Sequence, residues 1–193
     1  HVYILKETGE IVDNCQKRPQ RLFEERELSV DECAGYLQKA INLLKSQTAA
    51  SGSSEGTLKV IITVSPIRYA KYGYHGSQLS KATLLLAADK LVKENPGVVS
   101  YFPAYEIMND ELRDYRFYKE DMLHPSEQAV EYIWERFRAT YFGKAAELFL
   151  EDWRPIREAL GHKPFHPESE EHQKFIARTE EKKRQFEEKY HLL

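Results

Sequence analysis

The run Leu58 to Val64 constrains the fold more than any other stretch, because it is rich in β-branched residues and shows no in–out alternation. An alternating strand turns one face to water, whereas a continuous apolar strand is covered on both faces, as in a parallel sheet. Ser65-Pro66 ends the run. A helix is expected from Ser80 through about Glu94, where Leu84, Leu85, Leu86, Ala87, Ala88, Leu91 and Val92 cover more than one face, as a buried crossover requires. Asn95-Pro96-Gly97 stops that helix. Val98 to Phe102 reads as a second strand, with Pro103 interrupting its continuation towards Glu106 and Ile107. Strand, helix and strand in this order imply a right-handed parallel unit, so the chain reads as α/β.

The flanking segments are simpler. Val2 to Leu5 and Glu10 to Asp13 form a β-hairpin pattern, with Gly9 supplying the unusual backbone angle of the turn. Asn14 to Leu28 reads as a loop carrying Lys17, Arg18, Pro19 and Arg21. Ser29 caps a helix of roughly Val30–Lys45 with an apolar stripe of Cys33, Tyr36, Leu37, Ala40, Ile41 and Leu44. Ser46 to Thr57, rich in Ser, Gly, Thr and Ala, reads as a surface loop. Later helices are expected at Ser126 to about Phe142, Lys144–Ala159 with Pro155 bending it, and Ser169 to about Tyr190. These divide the chain into residues 1–142 and an appended helical extension, 143–193.

The 193 residues suffice for one substantial core, and a formal net charge of -3 supplies no basic field for nucleic acid or an anionic membrane. Neither partner is expected. Cys15 and Cys33 make neither a disulfide framework nor a metal site, and they fit a reducing, cytoplasmic setting. The chain opens on His1-Val2-Tyr3 without an initiator Met or signal peptide, as a fragment or processed product would.

Chemistry concentrates at Asp121-Met122-Leu123-His124-Pro125-Ser126. Pro125 biases His124 towards extended backbone, and Ser126 is a good N-cap for the helix that follows. An acid and an imidazole so placed suit a pair in which the carboxylate orients the ring and the ring accepts a proton from a nucleophile. The same residues also suit a loop whose Asp and His merely cap and hydrogen-bond. The loop Ile67 to Gln78, holding Arg68, Tyr69, Lys71, Tyr72, Tyr74 and His75, falls beyond the carboxyl end of a strand, where open α/β sheets bind ligands. Met108 to Glu120, dense in charge and tyrosine and carrying Arg113 and Arg116, reads as a lid or as a set of partners for Asp121 and His124. Arg68, Tyr69, His75, Arg113 and Arg116 are the substrate-binding candidates. A plain solvated loop competes with both of these readings.

Several long stretches occur together in a fixed order: Thr63-Val64-Ser65-Pro66-Ile67-Arg68, His75-Gly76-Ser77-Gln78-Leu79-Ser80-Lys81-Ala82, Tyr101 to Glu106, Asp110 to Tyr118, and Asp121-Met122-Leu123-His124-Pro125. Together they resemble the GSCFA family, named from a Gly-Ser-Cys-Phe-Ala signature and similar to the SGNH/GDSL hydrolases. The likeness covers most of residues 1–142. It implies a three-layer α/β/α sandwich, flavodoxin-like, with a mostly parallel sheet that is incomplete at the N-terminus here. It also implies that Asp121 and His124 match the Asp-x-x-His block of those enzymes, His as general base towards a Ser and Asp orienting it. Ester hydrolysis of that type needs no metal or cofactor, and a small-molecule or carbohydrate ester is the implied substrate.

The Gly-Ser-Cys-Phe-Ala signature does not occur in these residues. The nucleophile is therefore expected upstream of His1, and the fragment alone is expected to be inactive. Ser65 precedes Pro66 and lacks a Gly-flanked elbow, and Ser126 is better used as a cap. A truncated sheet would expose an edge and favour self-association. Two alternatives stay open: a non-catalytic binding or scaffold protein on the same fold, and an acyltransferase.

Overall fold

A computed structural model describes residues 1–12, 15–50 and 58–192. It divides into two compact units, residues 1–134 and 135–193. The first is α/β. Strands β1 (Val2–Leu5) and β2 (Glu10–Val12) form the expected hairpin, with Gly9 at φ 72°. Asp13 of that pattern lies outside the described residues.

The segment expected as a loop contains a third strand, β3 (Phe23–Arg26), antiparallel to β1 with Leu5 opposite Phe23 and Val2 opposite Arg26. Its Glu24-Glu25-Arg26 charges hid it. Pairing with β1 and burial of Phe23 outweigh a weak local strand preference. Lys71 ties this sheet to the chain beyond the Leu58–Val64 run, since its Nζ bonds the Tyr3 hydroxyl and reaches Glu25 Oε2 at 2.8 Å.

Helix α1 spans Val30–Ala50, five residues beyond the expected end, so Ser46 to Ala50 are helical and residues 51–57 lie outside the described residues. Its start is a reciprocal cap. The Glu32 N–H donates to Ser29 Oγ at 3.2 Å, and the Ser29 N–H donates to Glu32 Oε2 at 2.9 Å. The Arg26 guanidinium at 2.6 Å, together with Ser29, holds the Glu32 carboxyl down at about 2. Of the expected stripe only Ile41 is fully buried. Tyr36, Leu37 and Leu44 are exposed, and Ala34 takes the buried position instead.

The parallel pair is β4 (Val60–Ile62) and β5 (Val99–Tyr101), joined through helix α2 (Gly73–Glu94), with Val60 opposite Val99 and Ile62 opposite Tyr101. Both strands are shorter than the apolar runs that mark them, and Ile61 is exposed, so β4 is not covered on both faces. Ala34 and Ile41 of α1, Ala87 and Leu91 of α2, and Val99 of β5 share one core, with Val60 and Ile62 packed against it. Buried Asn95 joins the helices. Its Nδ2 donates to Gln38 Oε1 at 2.6 Å and to Leu91 O at 3.0 Å, while its Oδ1 accepts from Lys45 Nζ at 3.1 Å.

Helix α2 begins seven residues before Ser80, so Gly73 to Gln78 are helix and not loop. Gly73 (φ 70°) turns the chain out of a tight turn at Ala70–Tyr72, and a Cβ on Gly76 would stand 2.8 Å from Tyr72 Cβ. Gly73 and Gly76 permit this close start.

The stretch after β5 also departs from expectation. Pro103 is followed by a helical turn, α3 (Ala104–Glu106), and a π-helical turn at Ile107–Leu112, so no strand continues to Ile107. Met108 is 1% exposed and packs with Tyr118 and Ala129 in a second core, joined by Leu112, Phe117 and Ile133. A solvated loop would bury none of these. Helix α4 (Glu127–Tyr141) follows, its Ala129 N–H donating to Ser126 Oγ at 3.3 Å.

The second unit is helical. Helices α5 (Lys144–Gly161, with Pro155 inside) and α6 (Glu170–Lys189) pack on one another through Phe149, Trp153, Phe186 and Tyr190, with ring centroids 4.8 Å to 5.1 Å apart. Ser169 Oγ caps α6 by accepting from the His172 N–H at 3.2 Å. Among the described residues no helix is long and apolar enough to cross a membrane.

Candidate functional site

Asp121 and His124 meet. Asp121 Oδ1 accepts the main-chain N–H of Leu123 at 2.8 Å and of His124 at 2.9 Å, while Oδ2 lies 2.6 Å from His124 Nδ1. One carboxylate thus serves as turn cap and ring anchor at once. With Nδ1–H as the donor, the neutral ring presents Nε2 as an acceptor. The main-chain N–H of His124 first, then that of Leu123, then the imidazole itself hold the Asp121 carboxyl down at about 2. Both side chains are about half exposed, at 44% and 55%, and so are open to solvent.

The turn is held from two directions. From its own neighbourhood, the Lys119 N–H donates to His124 O at 2.8 Å, the Ser126 N–H to Phe117 O at 2.7 Å, and Tyr118 bridges Pro125. From the loop after β4, the Arg68 N–H donates to Leu123 O at 3.0 Å and its Nη1 to Met122 O at 3.3 Å. Met122 sits at φ 60°, a left-handed conformation that a non-glycine residue keeps only when its surroundings enforce it. Arg68 supplies that enforcement. Its guanidinium lies 3.9 Å above the Tyr118 ring centroid, with Tyr115 and Tyr74 at 5.9 Å and 6.0 Å.

The remaining candidates separate into two places. Arg68 and Arg113 line a pocket with Asn109, Asp114, Tyr115 and Tyr118. Arg116 pairs with Asp114 at 3.1 Å, its guanidinium holding that carboxyl below its ordinary value. Tyr69 and His75 lie elsewhere. Tyr69 donates its N–H to Ser77 Oγ at 3.2 Å and packs on Tyr72, and His75 is exposed on the first turns of α2. Neither tempting serine is arranged as a nucleophile: Ser126 Oγ is the helix cap, and Ser65 Oγ accepts the Ile67 N–H at 3.3 Å. Among the described residues no cluster of His, Cys, Asp and Glu is placed to hold a metal ion.

Tyr118 is the site residue that composition alone would miss. It is 8% exposed, sits under Arg68, and its hydroxyl has no hydrogen-bond partner among the described residues. The density of tyrosines from Tyr105 to Tyr118 is a signal for the region, but it does not say which of them is buried.

These features define an α/β protein with an Asp-x-x-His turn set beyond a parallel strand. Comparison with family models gives the particular membership: residues 1–137 match the GSCFA family and residues 153–193 match the GSCFA domain protein, C-terminal domain. The chain belongs to the GSCFA family. No curated protein and no solved structure matches it.

Proposed function

We propose that Asp121 and His124 are the orienting acid and general base of an SGNH-type serine ester hydrolase, acting on a nucleophilic serine outside residues 1–193. The observation that carries this reading is the 2.6 Å contact between Asp121 Oδ2 and His124 Nδ1, with the other carboxylate oxygen fixed by two main-chain N–H groups. That arrangement commits Nδ1 to the carboxylate and leaves Nε2 to take the serine proton and later return it to the leaving alcohol. The carboxylate stabilises the imidazolium formed in between. The parallel β4–β5 pair and its α2 crossover support a place for this unit within a three-layer α/β/α sandwich, whose remaining strands and oxyanion donors would come with the serine.

The test is a fluorophosphonate probe together with an ester-hydrolysis assay, on a protein carrying both the Gly-Ser-Cys-Phe-Ala segment and this chain. Labelling should depend on the signature Ser. His124→Ala should cut hydrolysis by on the order of a thousandfold or more. Labelling that survives loss of that Ser, or full hydrolysis by His124→Ala, contradicts the proposal.

A further inference from the structure

Arg68, Asn109, Arg113, Asp114, Tyr115 and Tyr118 line a pocket of about 180 Å³. Its two cations differ in what they already hold. The Arg68 guanidinium stacks on Tyr118 and donates to Met122 O. Arg113 ends the π-helical turn in a left-handed conformation (φ 50°), its N–H donating to Met108 O at 3.3 Å, while its guanidinium makes no ion pair among the described residues. Glycine would make that turn without strain, whereas the arginine adds a cation to the pocket. The one carboxylate in the lining, Asp114, is already engaged by Arg116, whose N–H and Nη2 donate to it at 2.9 Å and 3.1 Å. What is left over is positive charge and forked N–H donors, the chemistry that matches a small oxyanion.

We propose that this pocket binds a carboxylate or phosphate group, with Arg113 as the principal contact. Arg68 and Tyr118 belong both to the pocket and to the clamp on the Asp121–His124 turn, so an oxyanion held here lies beside the reacting groups. Calling it part of the ester substrate rests on the hydrolase reading; the binding itself does not.

The experiment follows main-chain amide resonances of the 193-residue chain during titration with inorganic phosphate and, separately, acetate, at constant ionic strength set by chloride. Saturable shifts are expected at Arg113, Asp114 and Tyr118 with at least one of the two. Phosphate alone or acetate alone assigns the group, and saturation by both assigns an undiscriminating oxyanion site. Arg113→Gln should weaken binding on the order of tenfold, while Lys93→Gln at the end of α2, outside the pocket lining, should not. Failure of both anions to saturate, or unchanged affinity in Arg113→Gln, overturns the proposal. The titration reads binding and not hydrolysis, so failure of the hydrolase reading leaves this result standing, and failure to bind either anion leaves the Asp121–His124 reading untouched.

Discussion

The Asp121–His124 turn and the α5–α6 helix pair are held together by opposite means. The turn is half exposed and built from hydrogen bonds that mostly span fewer than ten residues, with Arg68 reaching in from 54 residues away. The helix pair is built from aromatic rings meeting across 33 or more residues, with Phe186 6% exposed at the centre and polar contacts of Lys189 and Tyr190 to Asp152 at its rim. The difference teaches where sensitivity lies. Truncating a ring leaves a cavity, whereas truncating a turn residue leaves groups that water can satisfy. The helix pair is therefore fragile to volume, and the turn to geometry and charge.

The largest stability effect should come from Phe186→Ala, which costs about 3–5 kcal/mol of the helix pair by denaturant unfolding while the Asp121–His124 resonances stay put. A comparable loss at the turn would break the distinction. Next is Asn95→Ala, which removes a buried amide joining α1 to α2 and should cost about 2 kcal/mol. Ser126→Ala removes the cap on α4 and should cost about 1 kcal/mol, read from the same transition. Tyr118→Phe should go the other way, stabilising the first unit by up to about 1 kcal/mol, because it deletes a shielded hydroxyl with no partner among the described residues.

Acid sharpens the comparison further. The Asp121 carboxyl titrates near 2, below its unfolded value of about 4, so its support for the turn is complete above that value and is lost as pH falls towards 2. Amide shifts of Leu123 and His124 should follow that window, and the dependence should vanish in Asp121→Ala.

Much of this was legible in the chain. Gly9, Ser29 and Ser126 mark their turn and caps by residue type alone, and the apolar runs at Leu58 and Val98 mark the parallel pair. Asp121 and His124 are close in sequence, so their contact needs only a local turn. What was not legible depends on distant partners. β3 is a charged segment made into a strand by β1, and α2 starts early because Gly76 fits against Tyr72. Whether the Met108 to Glu120 stretch is a lid or a solvated loop is decided by Ala129 and Ile133, which pack on Met108 and Tyr118. Arg68 looked like a ligand contact, yet its main chain and guanidinium also hold the turn that presents His124.

The most direct test is the tautomer of the neutral His124 ring, read from long-range proton–nitrogen NMR spectra at alkaline pH. The Asp121 contact predicts a proton on Nδ1 and a bare Nε2, with that preference lost in Asp121→Ala. A ring protonated on Nε2, or a spectrum unchanged by Asp121→Ala, would contradict the account.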